Sequence, residues 1–566
     1  MSLQFIFGNS GSGKSHYLYQ QIVEESIRHP EKNYLVLVPE QFTMQTQKDL
    51  CMAHPRGGIM NIDVLSFGRL AHRVFEETGK ERQPILDDEG KNLVLRKIAG
   101  NYEDELTVLK GNLKKQGYIS EVKSVISEFT QYGIDFEQLD SFMEGLNPES
   151  YLYYKLKDIR KVYEGFEDYL RDKYITKEEL LDVLSQNVQE AKMLKDSVIA
   201  MDGFTGFTPV QNRLIGELLK VCDKIMLTVE IDRREDPFVY KHPYQLFALS
   251  KQMVTSLTEV AQEVKVEIDE PVWLCKNPPY RFKENPEMAF LEEELFRYSR
   301  RKYSGKKMQS ISLHEVHTPQ EEAQYVAEEI RRLVREEGYR YREIAVIASD
   351  LNTYADSLEK ACERYEIPVF MDHKKSILLN SFVEYLRSLL VMVEQNYTYE
   401  SVFRYLRTGL CGFTRDEVDR LENYCLALDL KGFKKWDQVW VRKTPMTKKE
   451  ELEELNQLRV RFVEKLTPLH TVLKKRRKTV KEITLAVYEY LVQEKIQEQL
   501  AELEQKFQEE GELALAKEYA QIYRIVLELF DKFVELLGEE EIPLKEYCEL
   551  LDAGLEEAKV GVIPPS

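Results

Sequence analysis

The sequence predicts an α/β protein with a parallel sheet, organised as two α/β units that are each interrupted or followed by a long helical block. Three observations carry this. Short apolar runs alternate with amphipathic helical segments over residues 1–79 and again over 309–371, as expected of strands buried on both faces and covered by helices. Strand texture is lost over 80–190 and returns over 197–231. From about 380 to 558 the apolar spacing is almost wholly helical.

In chain order, residues 3–7 (LQFIF) form a first strand that runs into a glycine-rich turn at Gly8. A helix follows from about Lys14 to Ile27, with Leu18, Ile22, Val23 and Ile27 on one face. Residues 34–38 (YLVLV) and 59–67 (IMNIDVLSF) are further strands, and Gly68 to Glu77 is a helix. The sheet resumes at 197–202 (SVIAMD) and 224–231 (KIMLTVEI), with a helix between them carrying Leu214, Ile215, Leu218 and Leu219. A second α/β unit follows: strand 309–316, helix 319–337, strand 343–348, helix 351–365 and strand 367–371. Residues 560–565 resemble the start of another strand. These readings divide the chain into a first lobe (1–79 and 191–275), a helical insertion (80–190), a linker (276–308), a partial second lobe (309–390 and 559–566) and a second helical insertion (391–558).

Composition bounds the function. The chain has 566 residues, 43% hydrophobic and 31% charged, enough to bury a core without disulfide or metal staples. A net charge of −19 excludes a protein that coats nucleic acid by bulk charge, but leaves room for a local basic groove. The seven cysteines include no CxxC pair and are expected to be free thiols. The sequence shows neither a signal-peptide layout nor an apolar run long enough to span a membrane, so a cytoplasmic location is expected.

Gly8-Asn9-Ser10-Gly11-Ser12-Gly13-Lys14-Ser15 fits GxxxxGK[ST] at every defined position, between a strand and a helix. Glycines let successive main-chain N–H groups turn inward around phosphates, and the helix N-terminus adds partial positive charge. Lys14 is expected on the β and γ phosphates of ATP and Ser15 on Mg²⁺. Asp202, closing the strand SVIAMD, is the candidate for the second Mg²⁺ element. Hydrolysing motors usually place a glutamate next, to orient the attacking water. Here Gly203, Phe204, Thr205, Gly206 and Phe207 follow instead.

The segments GNSGSGKS, LVPEQFTMQTQ, VLSFGRLAHRVF and MDGFTGFTPVQ, in this order, resemble the B subunit of the AddAB helicase–nuclease, the AddB/RexB family within the UvrD-like helicases. The resemblance implies a P-loop NTPase (RecA-like) lobe with a large helical insertion, and a partial second RecA-like lobe with its own insertion. It places Gln41, Thr43, Ser66, Phe67 and Arg69 on a path for single-stranded DNA. It also implies a heterodimer with an A subunit, acting on single- and double-stranded DNA at double-strand breaks to feed recombination. The chain departs from active relatives in having Ala348, Ser349 and Asp350, not an arginine, where the strand at 343–348 ends. The family is about twice as long, so the sequence is read as its N-terminal half. The nuclease carboxylates and the cysteine-held iron–sulfur cluster of the family are not expected in it.

The run RYSRRKYSGKK (297–307) has six basic residues and no acid, and makes Arg300, Arg301 and Lys302 candidates for DNA phosphate, with tyrosines to stack on bases. Lys474 to Lys481 also holds six basic residues. The expected function is that of a subunit that binds ATP–Mg²⁺ and DNA while hydrolysing ATP weakly or not at all. The rival readings are an active stand-alone DNA translocase and a non-enzymatic DNA-binding scaffold with a vestigial P-loop.

Overall fold

A computed structural model describes residues 1–79, 84–112, 116–171, 173–305, 308–371, 375–443 and 449–560. The chain divides into two compact units. The first comprises Met1–Asp87, Tyr102–Asn112 and Ser120–His314, and the second Asp88–Asn101, Leu113–Ile119 and Glu315–Ser566.

The first unit is built on an all-parallel sheet. Its strands are β1 (Ser2–Gly8), β2 (Tyr34–Leu37), β3 (Ile62–Leu65), β4 (Val198–Met201), β5 (Lys224–Glu230), β6 (Glu267–Ile268) and β7 (Val272–Trp273). The spatial order is β3-β2-β4-β5-β1-β6, with β7 also on β1. The apolar runs read from the sequence are the strands, because a central parallel strand is covered on both faces; every residue of β2 and β4 is buried. Alternation sends Leu3, Phe5 and Phe7 into one core and Ile6 into the other, where it meets Val36 and Ala200. The strand expected over 59–67 shrinks to Ile62–Leu65, because β2 offers only Tyr34–Leu37 to pair with and Ser66 turns away to cap the next helix.

Helices α1 (Lys14–Arg28), α2 (Thr43–Ala53) and α3 (Phe67–Thr78) link the first strands, α4 (Pro209–Leu219) links β4 to β5, and α5 (Ala248–Glu263) follows β5. The α3 helix buries Phe67, Leu70, Ala71, Val74 and Phe75, one face at helical spacing, and ends at Gly79 in the left-handed region (φ 64°). Within 116–187, the helices Gln116–Tyr132, Phe136–Glu144, Tyr151–Leu170 and Leu180–Asn187 match the expected helical texture. The helix Asp88–Asn101 instead groups with the second unit, where Arg96 pairs with Glu549 at 2.9 Å and Lys97 with Glu540 at 2.7 Å. Residues 286–294, inside the stretch read as a linker, form helix α6, with Asn285 as its N-cap and Pro286 in its first turn.

The second unit corrects one expectation. Helices α7 (Pro319–Glu336) and α8 (Leu351–Arg364) form as expected and share a small core of Ala323, Ala327, Ile330, Leu358, Cys362 and Ile367. The strands expected at 309–316, 343–348 and 367–371 do not form among the described residues. A strand is defined by its ladder, and these apolar segments lie without one; Ile347 is 95% exposed. Beyond residue 380 the unit is helical, from Ser381–Glu394 to Leu544–Glu557. Lys559–Val560 pairs antiparallel with Lys375–Ser376, and the rest of the strand read at 560–565 lies outside the described residues. No helix among the described residues is long and apolar enough to cross a membrane.

Candidate functional site

Parallel strands put their carboxyl ends on one edge, and in open α/β sheets that edge is where ligands bind. Gly8, Leu37, Leu65, Met201 and Glu230 are the last residues of β1 to β5 and mark it here. Gly8–Gly13 leaves β1 at this edge and leads into α1. Gly11 and Gly13 take positive φ (73° and 94°), which only glycine adopts at no cost. Gly13 stands at the N-cap of α1 and has no side chain to cap it, so the first helical amides are left for a ligand.

The side chains around this turn point the same way. Ser12 Oγ and Asn9 Oδ1 are buried without a hydrogen-bond partner among the described residues, an arrangement that stands at a cost until something polar is supplied. Lys14 folds back, its Nζ donating to the Asn9 carbonyl at 3.0 Å. Burial pulls the Lys14 pKa below its ordinary value, opposed by the charges of Glu230, Asp202, Cys275 and Glu292. A Cβ at Gly8 would lie 2.4 Å from Ser12 Oγ and 2.9 Å from the Lys14 stem, so Gly8 is fixed by close approach. Ser15 is exposed in the first turn of α1, and Ser10 is partly exposed in the loop.

Asp202 follows β4 directly and is 6% exposed. Its Oδ1 accepts from Thr228 Oγ1 at 2.5 Å and its Oδ2 from Tyr19 Oη at 2.8 Å. Thr228 is on β5 and Tyr19 on α1, so the carboxylate ties the helix after the glycine turn to the strand between β4 and β1. Burial and the Asp202 charge together push the Tyr19 hydroxyl well above its ordinary pKa, holding it as a donor.

Gln41, Thr43, Ser66, Phe67 and Arg69 follow β2 and β3 at the same edge. Gln41 is exposed in the turn Glu40–Phe42. Thr43 opens α2 and is 7% exposed, with its hydroxyl on the Glu40 carbonyl at 3.0 Å. Ser66 caps α3, accepting from the Arg69 amide at 3.3 Å. Phe67 is 8% exposed and packs on Phe204 and Phe207, with ring centroids 5.5 and 6.2 Å away. Arg69 projects outward, with its guanidinium unpaired among the described residues. Arg300 and Lys302 are exposed, whereas Arg301 donates to Glu293 at 3.0 Å and Glu294 at 2.5 Å. In the second basic run, Lys475 and Arg477 face Glu482 and Glu541 at 3.9 Å, and Lys478 is 7% exposed.

Comparison with known proteins adds the family. The model for the N-terminal region of AddB matches residues 5–292, half of the chain. The chain belongs to the AddB family. The UvrD-like helicase C-terminal domain matches residues 285–558. The whole chain aligns with the B subunit of the ATP-dependent helicase/deoxyribonuclease from Lachnoclostridium phytofermentans, at 42% identity over 50% of that protein. The same-named proteins of Clostridium novyi and Caldanaerobacter subterraneus subsp. tengcongensis are 33% and 34% identical, each with 49% of its length covered. The chain spans about half the length of the curated relatives it matches.

Sequence reasoning missed a set of residues around the glycine turn of this AddB-family chain. The segment read as a linker folds onto it: the Arg281 amide donates to the Gly11 carbonyl at 3.0 Å, and a Cβ at Gly11 would lie 2.8 Å from Arg281 Cβ and 3.2 Å from the Phe282 ring. Asn9 Nδ2 donates to Glu292 at 3.1 Å, and burial holds the Glu292 carboxyl above its ordinary pKa. Asn285-Pro286, a helix-start signal, is the one hint the sequence held.

Proposed function

We propose that this chain is the nucleotide- and DNA-holding region of the B subunit of a heterodimeric ATP-dependent helicase–deoxyribonuclease that processes double-strand breaks for recombination repair. The glycine turn carries the nucleotide half of this reading. It combines an uncapped helix N-terminus, buried polar atoms without partners among the described residues, an inward lysine and the Asp202 carboxylate, two strands away, whose field reaches that lysine. These features fit ATP–Mg²⁺. The turn Gly8–Gly13 and Lys14 would hold the phosphates, Ser15 would face the metal, and Asp202 would act through water. The bound ion would supply charge neutralisation on the phosphate oxygens.

The chain's own residues define what it does with the nucleotide. Gly203 and Phe204 follow Asp202 where a water-orienting glutamate stands in hydrolysing motors, so the site holds nucleotide and turns it over slowly if at all. The DNA half of the proposal rests on Gln41 and Arg69, exposed after β2 and β3, and on family membership, Phe67 being packed into the core instead. Driving force for translocation then comes from the A subunit.

Calorimetric titration of Mg–ATP into the chain tests the first half: binding is expected, and Lys14→Ala is expected to abolish it. Heat that survives that change, or a thermal midpoint that nucleotide does not move, would favour the vestigial scaffold. Strong ATP turnover stimulated by single-stranded DNA would establish the active translocase instead.

A further inference from the structure

Residues 296–303 leave α6 as a short projection whose side chains alternate. The odd positions are fastened down. Arg297 lies 14% exposed, donating to Asp232 at 2.7 Å and to Glu235 at 3.0 Å, with its guanidinium 5.3 Å from the centroid of the Phe247 ring. Lys251, itself 5% exposed, holds the other oxygen of Glu235 at 2.6 Å. Ser299 donates to Glu294, and Arg301 spans Glu293 and Glu294 while lying over Phe290. Tyr303 packs on the same Phe290, with centroids 5.5 Å apart.

The even positions are Phe296, Tyr298, Arg300 and Lys302. All four point outward. Phe296 is 67% and Tyr298 95% exposed, and neither Arg300 nor Lys302 has a carboxylate partner among the described residues. Phe296 and Tyr298 hold positive φ (58° and 53°), a conformation that bulky L-residues rarely enter. The anchored Arg297 lies between those two left-handed residues. The backbone is thus bent at a cost to show two large rings and two free cations to solvent, on a chain whose net charge is −19.

We infer that this projection is a contact for single-stranded DNA, with bases stacking on Phe296 and Tyr298 and phosphates held by Arg300 and Lys302. The inference rests on the DNA-binding reading above and adds a second contact element to the strand-end one. Two flat rings beside two unpaired cations match the two faces of an unpaired strand, which offers planar bases and a polyanionic backbone. A protein partner would be expected to meet such rings with an apolar surface, and Arg300 and Lys302 would flank that surface with unmatched charge. Arg301 is excluded from the contact, since its charge is spent on two carboxylates.

Binding of the chain to a dT oligonucleotide and to an abasic oligonucleotide of equal length, read by fluorescence anisotropy, separates the roles. Phe296→Ala with Tyr298→Ala is expected to weaken dT binding by about thirtyfold or more and to leave abasic binding unchanged. Arg300→Ala with Lys302→Ala is expected to lower the slope of log affinity against log salt by about 1.4 for both oligonucleotides. Equal binding by wild type and both double variants overturns the inference, as does an equal loss on the abasic strand. Arg69→Ala run in parallel separates the two readings. If it alone weakens binding, the strand-end reading stands and the projection falls; if the projection variants alone weaken it, the reverse holds. Absence of any DNA binding by the wild-type chain overturns both. The even side chains are exposed, so unchanged thermal midpoints are expected and verify that each variant is folded.

Discussion

At the scale of single residues, the site is defined by charges placed where water is scarce. Asp202 is buried with both oxygens accepting from hydroxyl groups. Asp202→Asn replaces one acceptor by an N–H₂ facing a donor, and is expected to cost about 1–3 kcal/mol in a denaturant titration, besides weakening the magnesium dependence of nucleotide binding. Glu292 provides a pH handle. Burial raises its folded pKa, so the folded state binds the proton more tightly than the unfolded chain. Its contribution favours folding below the ordinary carboxylate range and is lost as pH rises through the raised pKa. Glu292→Gln keeps a hydrogen-bond acceptor for Asn9 and removes a negative charge whose field reaches Lys14. Mg–ATP affinity is expected to rise roughly fivefold near neutral pH, with the gain fading in acid where wild-type Glu292 is already protonated. A flat affinity profile in both proteins would refute this.

At the scale of elements, the glycine turn and its cover act as one piece. Gly11 combines a left-handed φ of 73° with Arg281 2.8 Å from where a Cβ would stand. Gly11→Ala is expected to destabilise by about 1–2 kcal/mol and to release the cover, seen as faster amide exchange over 275–285. Unchanged exchange there would mean that the segment is held by other contacts. This scale also separates what was legible from what was not. The strands of the first sheet announced themselves because LQFIF and YLVLV are covered on both faces, which leaves a run of apolar residues that no helix spacing explains. The glycine turn was legible because phosphate chemistry fixes residue types at fixed offsets. The folded-back cover was not, since Arg281 meets Gly11 through main-chain atoms that any residue carries. The apolar runs near 345 and 368 read as strands, yet pairing belongs to the neighbour as much as to the run, and neither run has one among the described residues.

At the scale of the whole molecule, the second unit carries apolar segments outside any helix or strand among the described residues. Residues 345–348 and 368–371 are apolar and lie outside any helix or strand, and the amides of 345–348 and 369–371 donate no main-chain hydrogen bonds among the described residues. With the relatives about twice as long as this chain, those amides are expected to exchange within seconds here and to be strongly protected in a full-length AddB-family protein, measured by hydrogen–deuterium exchange. Equal exchange in both would show that the segments stay open in the longer protein. The first unit has a long-range demand of its own. Its opening strand, Ser2–Gly8, takes its central neighbour from Lys224–Glu230. At ribosomal speeds of roughly 5–20 residues per second, that leaves the newborn LQFIF segment unmatched for about 10 to 45 seconds, so the strand that leads into the glycine turn is synthesised first and takes its place in the sheet only after its partner emerges.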